Sequence, residues 1–163
     1  MTVYEKELQD ASDEGLDVKE RPLKSDAAAL IKGNRVALNK RILTTTKEKS
    51  CTLAEERGHY HTTVGDILDL TKEENRRQEY RARLWAYNNK IGLAGLISAY
   101  RSGCRSLEEF ADALNVTEDF LTNALDCYQK KYGANIWYGD YCIQFIPYFE
   151  IGTAIIFTNS SSK

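Results

Sequence analysis

No stretch of this sequence approaches the roughly 18 uninterrupted apolar residues that a membrane-spanning helix requires. The segment Met1 to Asp10 is polar and acidic and has no apolar centre of the kind a secretory leader carries. The expected location is therefore the cytoplasm. Cysteine is present, but Cys51, Cys104, Cys127 and Cys142 are widely separated and form no CxxC pair. Without a secretory route a disulfide framework is not expected, and the four read as reduced thiols packed as small hydrophobes. Basic residues are scattered and the formal net charge is −2, so no stripe supplies the phosphate neutralisation on which nucleic-acid affinity depends. Direct nucleic-acid binding is not expected. Internal repeats and low-complexity segments are absent, and histidine is limited to His59 and His61.

What is present is an ordinary globular composition, 42% hydrophobic and 28% charged over 163 residues. That length suits one domain with a real core. We read residues 1–158 as that domain and 159–163, a polar serine-rich end, as a frayed tail.

Helical spacing of Val3, Tyr4, Leu8 and Ala11, ending at Gly15, predicts a short amphipathic helix. Leu16, Val18 and Leu23 around Pro22 suit an edge strand, with a turn at Ser25 and Asp26. Apolar residues on both sides of Gly33-Asn34, from Leu30 to Asn39, predict a β-hairpin. Thr45 and Glu48 have capping-box spacing, so a helix begins near Thr46 and runs through Cys51, Leu53, Ala54 and Glu55 to His59, breaking before Gly65. A second helix spans Lys72 to about Asn89, and Ile91 to Tyr100 continues helically until Gly103. Ser106 with Glu109, and then Thr117, start two shorter helices. From Asn135 to Thr158 the chain turns aromatic and β-branched around Gly139, Pro147 and Gly152, which predicts two or three strands. The expected class is α+β, with central helices, an N-terminal hairpin and C-terminal strands.

The residues that carry chemistry lie on the helix Glu55-Glu56-Arg57-Gly58-His59. Residues four apart project from one face, so Glu55 and His59 can converge on a metal, as the two histidines of an HExxH helix do, while Glu56 stands where that motif has its base. Spacing alone leaves a second reading open, in which the Glu55–His59 pair is a solvated face.

The run Leu53 to Thr62 resembles the active-site helix of the ImmA/IrrE metallo-endopeptidases of phages and mobile elements. So do the segments Lys32 to Asn39, Gly65 to Leu68 and Arg81 to Tyr87, and the likeness extends from about Tyr4 to Gly133. It implies a small zincin-like metallopeptidase. The family pattern of a third ligand, Glu followed by Ala, an aromatic residue and Ala, is matched by Glu79, Ala82, Trp85 and Ala86. Without the pattern Glu79 would read as an exposed carboxylate among Arg76, Arg77 and Arg81. The resemblance thus implies Glu55, His59 and Glu79 as ligands of Zn2+ and Glu56 as the base, with Tyr60 and His61 as auxiliary or oxyanion candidates. Glu55 stands where the motif normally has its first histidine, and some members of the family resemble this chain in carrying a glutamate there. Two anionic ligands leave the ion less positive, which implies slow hydrolysis and admits Mn2+, since carboxylates suit harder ions.

Leu107 to Leu121 has the rhythm of a helix-turn-helix, yet its second helix opens with Glu118 and Asp119 and has no Lys or Arg before Lys130. Packing or protein docking is the expected role. The resemblance implies a helix-turn-helix repressor as partner, either cleaved or antagonised by binding alone.

Overall fold

The computed structural model describes residues 1–63 and 71–154. Among them the fold is α+β, with six helices and two three-stranded sheets: α1 (Val3–Asp13), β1 (Asp17–Arg21), β2 (Ala29–Lys32), β3 (Arg35–Asn39), α2 (Thr46–Thr62), α3 (Lys72–Lys90), α4 (Gly92–Arg101), α5 (Leu107–Ala113), α6 (Glu118–Tyr132), β4 (Asn135–Tyr138), β5 (Tyr141–Gln144) and β6 (Glu150–Thr153). The expected tail at 159–163, the apolar residues Ile155 to Phe157 and the segment Gly65 to Leu68 lie outside the described residues. No described helix is long and apolar enough to cross a membrane. The chain divides into two compact units, residues 1–90 with 115–117, and residues 91–114 with 118 onward.

The first unit is built on local signals that act as the sequence suggests. Helix α1 opens with a capping box between Thr2 and Glu5 and closes before Gly15, whose φ of +91° terminates the turn. Helix α2 begins at Thr46 behind a capping box between Thr45 and Glu48. Gly33, at φ +59°, makes the turn that pairs β2 with β3 antiparallel. Strand β1 joins the other edge of β3 in parallel, giving the order β1-β3-β2.

Period-2 alternation then divides this sheet into two faces. Val36 and Leu38 of β3 turn inward and join Tyr4, Ala11, Leu16, Leu43 and Leu53 in the core between the sheet, α1 and α2. The opposite face gathers Lys19, Arg21, Lys32 and Arg35 with Asp17 around a shallow depression. Asn39 ends β3 inside the protein, where its side chain accepts from the backbone N–H groups of Leu23 and Arg41 and donates to the carbonyls of Ser25 and Ala27. It thereby holds the loop that brings β2 into place.

In the second unit α4 is a separate helix and not a continuation of α3. Gly92 adopts φ +63° after a non-helical Ile91, and its N–H donates to the Tyr128 hydroxyl at 3.2 Å. Helix α5 carries the expected capping box between Ser106 and Glu109, and Asn115 makes the turn toward α6 at φ +53°. The C-terminal residues form three strands, ordered β4-β5-β6 and antiparallel throughout. Leu96, Phe110, Leu121, Ala124 and Ile143 are buried here, and Phe110 meets Phe149 edge to face at 5.1 Å. Cys51, Cys127 and Cys142 are buried thiols, and Cys104 is half-buried.

Candidate metal centre

The site lies wholly within the first unit, where α2 packs along α3. Small residues set that approach. Ala82 and Ala86 stand three and seven positions after Glu79, on the same face of α3, and are 1% and 0% exposed. Opposite them is Gly58 of α2, where a Cβ would lie 2.2 Å from the Ala82 carbonyl oxygen. No side chain fits there. A glycine inside a helix costs about 1 kcal/mol relative to alanine, and the backbone contact that it permits offsets that loss.

Each residue of the helix segment from Glu55 to His59 has its own neighbour. Arg57 turns toward α1 and is 3% exposed. Its Nε and Nη2 donate to the two carboxylate oxygens of Glu14 at 2.8 and 2.5 Å, and Nη1 donates to Glu7. Glu7 in turn accepts from Lys90 Nζ at 3.1 Å, and the same ammonium donates to Ser50 Oγ at 2.7 Å. Two cations and two carboxylates so balance inside the protein, which is the condition for burying them. Among the described residues no buried side-chain nitrogen or oxygen lacks a partner. The network ties α1, α2 and α3 together and fixes the rotation of α2.

With Arg57 directed at α1 and Gly58 at α3, His59 meets Glu79, and Glu55 and Glu56 lie within electrostatic reach of it. His59 Nε2 lies 3.3 Å from Glu79 Oε2. That is the separation of an imidazole–carboxylate ion pair, and it is close enough for both groups to bind one ion. Glu55 and Glu56 are half-buried. Burial holds the Glu55 carboxyl above the usual range, the Arg83 guanidinium opposes that, and the Glu79 charge adds to it. Glu56 is pushed up to about 7, first by burial and then by the charges of Glu55 and Glu79. The three carboxyl groups are therefore within electrostatic reach of one another. Among the described residues no three His, Cys, Asp or Glu side chains converge as a ready chelate. His59 and Glu79 are brought together, while Glu55 stands alongside without closing the set. One imidazole and neighbouring carboxylates are the donor chemistry of zinc and manganese sites, and among the described residues of this set His59 and Glu79 are the two that stand at hydrogen-bonding distance.

A cleft of about 560 Å3 opens beside these groups, walled by Leu30, Ile31 and Gly33 of the hairpin and by Glu56, His59 and Tyr60 of α2. Strand β2 is an edge of its sheet, so the cleft runs between an edge strand and α2. Tyr60 reaches the cleft. His61 does not: its Nε2 lies 3.0 Å from Glu14 Oε2, and its ring stacks on Trp85 at 4.7 Å between centroids.

Three positions escaped the reading of the sequence as functional. Gly58 carried a signal, since glycine inside a helix marks a close approach. Arg83, which donates through Nε to Glu79 Oε1 at 2.8 Å, stands at the i+4 spacing of a helical ion pair. Arg57 carried none, because its partners lie 43 and 50 positions earlier in the chain.

No curated protein and no solved structure matches the chain. A family model does: the IrrE N-terminal-like domain of the M78 peptidases matches residues 4–126. That span takes in the hairpin, both helices of the site and the run up to α6, and the chain therefore belongs to the IrrE N-terminal-like family of M78 peptidases.

Proposed function

We propose that this chain is a zinc-dependent endopeptidase that cleaves a helix-turn-helix repressor of a phage or mobile element, with Mn2+ as an alternative ion. The observation that carries the reading is the 3.3 Å contact of His59 Nε2 with Glu79 Oε2 across α2 and α3, beside Glu56 in the same cleft. His59 and Glu79 would hold the ion and Glu55 would complete the set. When bound, the ion supplies Lewis-acid polarisation of the scissile carbonyl and a more acidic water.

The chain's own residues do the rest. Glu56, in a half-buried position among other carboxyls, accepts the proton from the attacking water and returns it to the leaving amine. Strand β2 offers its free edge to an extended peptide, whose main chain can add to the sheet while its side chains meet Leu30 and Ile31. Tyr60 lines the cleft, and in this reading it would assist the developing oxyanion. His61 serves to position α2 through Glu14 and Trp85.

A second reading, an anti-repressor that acts by binding alone, is favoured by one observation: Glu55 replaces a neutral ligand and does not close the metal set. Incubation of the full chain and of Glu56→Gln with Zn2+ and a repressor from the same element separates the two. Cleavage by the native chain and none by the variant supports the enzyme. Equal release of the repressor from its operator by both, with no cut product, supports the binding protein.

A further inference from the structure

The carboxyls of the site outnumber what a divalent ion can neutralise. In an HExxH site with a glutamate as third ligand, two positive charges face one carboxylate ligand and one carboxylate base, and the histidines are neutral. Here Glu55 adds a third carboxylate beside Glu56 and Glu79. With all three ionised, they carry one negative charge more than a divalent ion supplies.

The fold places one cation to meet it. Arg83 stands one turn after Glu79 on α3, and its Nε donates to Glu79 Oε1 at 2.8 Å. The other oxygen of the same carboxylate, Oε2, is the one that faces His59. Glu79 is therefore shared between an imidazole that can bind a metal and a guanidinium that cannot. Arg83 also reaches Glu55 electrostatically, drawing that carboxyl down against the effect of burial. The other arginines of α3 with a described partner point elsewhere: Arg77 pairs with Glu73 on the exposed first turn.

Resting on the metal-centre reading above, we propose that Arg83 is a built-in counter-cation of the site. It replaces the charge balance lost when glutamate stands at position 55, and it competes with the metal for Glu79. This would lower the affinity of the site for the ion. Arg83 is a positioning residue, acting through Glu79 and Glu55.

The test is a chelator-competition titration of the full-length chain with Zn2+ alone, repeated with Mn2+, for the native protein, Arg83→Gln, Arg83→Lys and Arg77→Gln, with thermal unfolding to show that each is folded. Arg83 is exposed enough to be replaced without loss of the core. Arg83→Gln should bind Zn2+ about ten-fold tighter, the scale expected when one nearby monocation no longer opposes a divalent ion through water. Arg83→Lys, which keeps the charge, should stay within about three-fold of the native chain, and the difference should shrink as salt is raised. Arg77→Gln, with the same change in net charge, should leave affinity unchanged. Equal affinity of the native chain and Arg83→Gln, or an equal gain in Arg77→Gln, overturns the role of Arg83 while leaving the metal centre standing. Absence of Zn2+ and Mn2+ binding in every variant overturns the metal centre and this inference with it. Binding that emerges only in Arg83→Gln supports the inference in its strongest form.

Discussion

Gly58 and Ala82 touch backbone to backbone, and a single methyl group at position 58 would stand 2.2 Å from the Ala82 carbonyl oxygen. The pair His59 and Glu79 flanks that contact on both helices, one residue after Gly58 and three before Ala82, so the approach of the helices and the geometry of the site are one property. Gly58→Ala should force α2 and α3 apart. The cost expected from overpacking is about 2 to 3 kcal/mol in denaturant unfolding, accompanied by loss of Zn2+ binding. An alanine variant that is as stable as the native chain and binds zinc equally would falsify this account of the packing.

Replacing Glu56 by Gln should leave zinc affinity within a few-fold and reduce peptide hydrolysis by about 10² or more, the range for losing a positioned acid–base group. His59→Ala and Glu79→Gln should each abolish zinc binding while the fold survives, since both side chains are partly exposed. Metal content after dialysis, measured beside turnover, distinguishes the two classes; a Glu56 variant that loses its metal would place this residue among the ligands.

Arg57→Met would leave Glu7 buried with Lys90 as its remaining charged partner and strip Glu14 of its bidentate guanidinium. Removing one partner of a buried network costs about 3–5 kcal/mol, and urea unfolding should show a loss of that order. A change below 1 kcal/mol would mean that the network orders the helices without stabilising them.

The same network sets an acid limit. Glu14 is held below the usual carboxylate range, chiefly by the Arg57 hydrogen bonds, against the opposing effect of burial. A carboxylate with a depressed folded value contributes stability that is present above its unfolded pKa of about 4.3 and lost as pH falls through the folded value. Thermal midpoints of the native chain should therefore drop as pH is lowered from about 5 toward 3. Glu14→Gln should be less stable at neutral pH and show a shallower acid decline, and parallel curves for the two proteins would locate the acid response in other carboxyls.

Much of the fold was legible because its signals are local. Thr45 with Glu48 and Ser106 with Glu109 cap helices through residues three apart, and Gly33 turns a hairpin between adjacent strands. Reading Ile91 to Tyr100 as a continuation of the preceding helix missed the break at Gly92, because a glycine inside an apolar run carries no mark of the sign of its φ. The roles proposed for Glu55, Glu56, His59 and Glu79 came from helical spacing joined to a family likeness; spacing alone could not tell a ligand set from a solvated face.

By itself, then, the sequence determined the elements, the family and the one helix on which chemistry could sit, since period, caps and turn residues act over a few positions. Tertiary structure decided what that helix meets. It directed Arg57 to carboxylates far upstream, turned His61 away to Glu14 and Trp85, set His59 against Glu79 and left Arg83 sharing the same carboxylate. Those outcomes depend on which backbones come within a few ångströms, and that distance is fixed by packing between helices, which no single stretch of chain encodes.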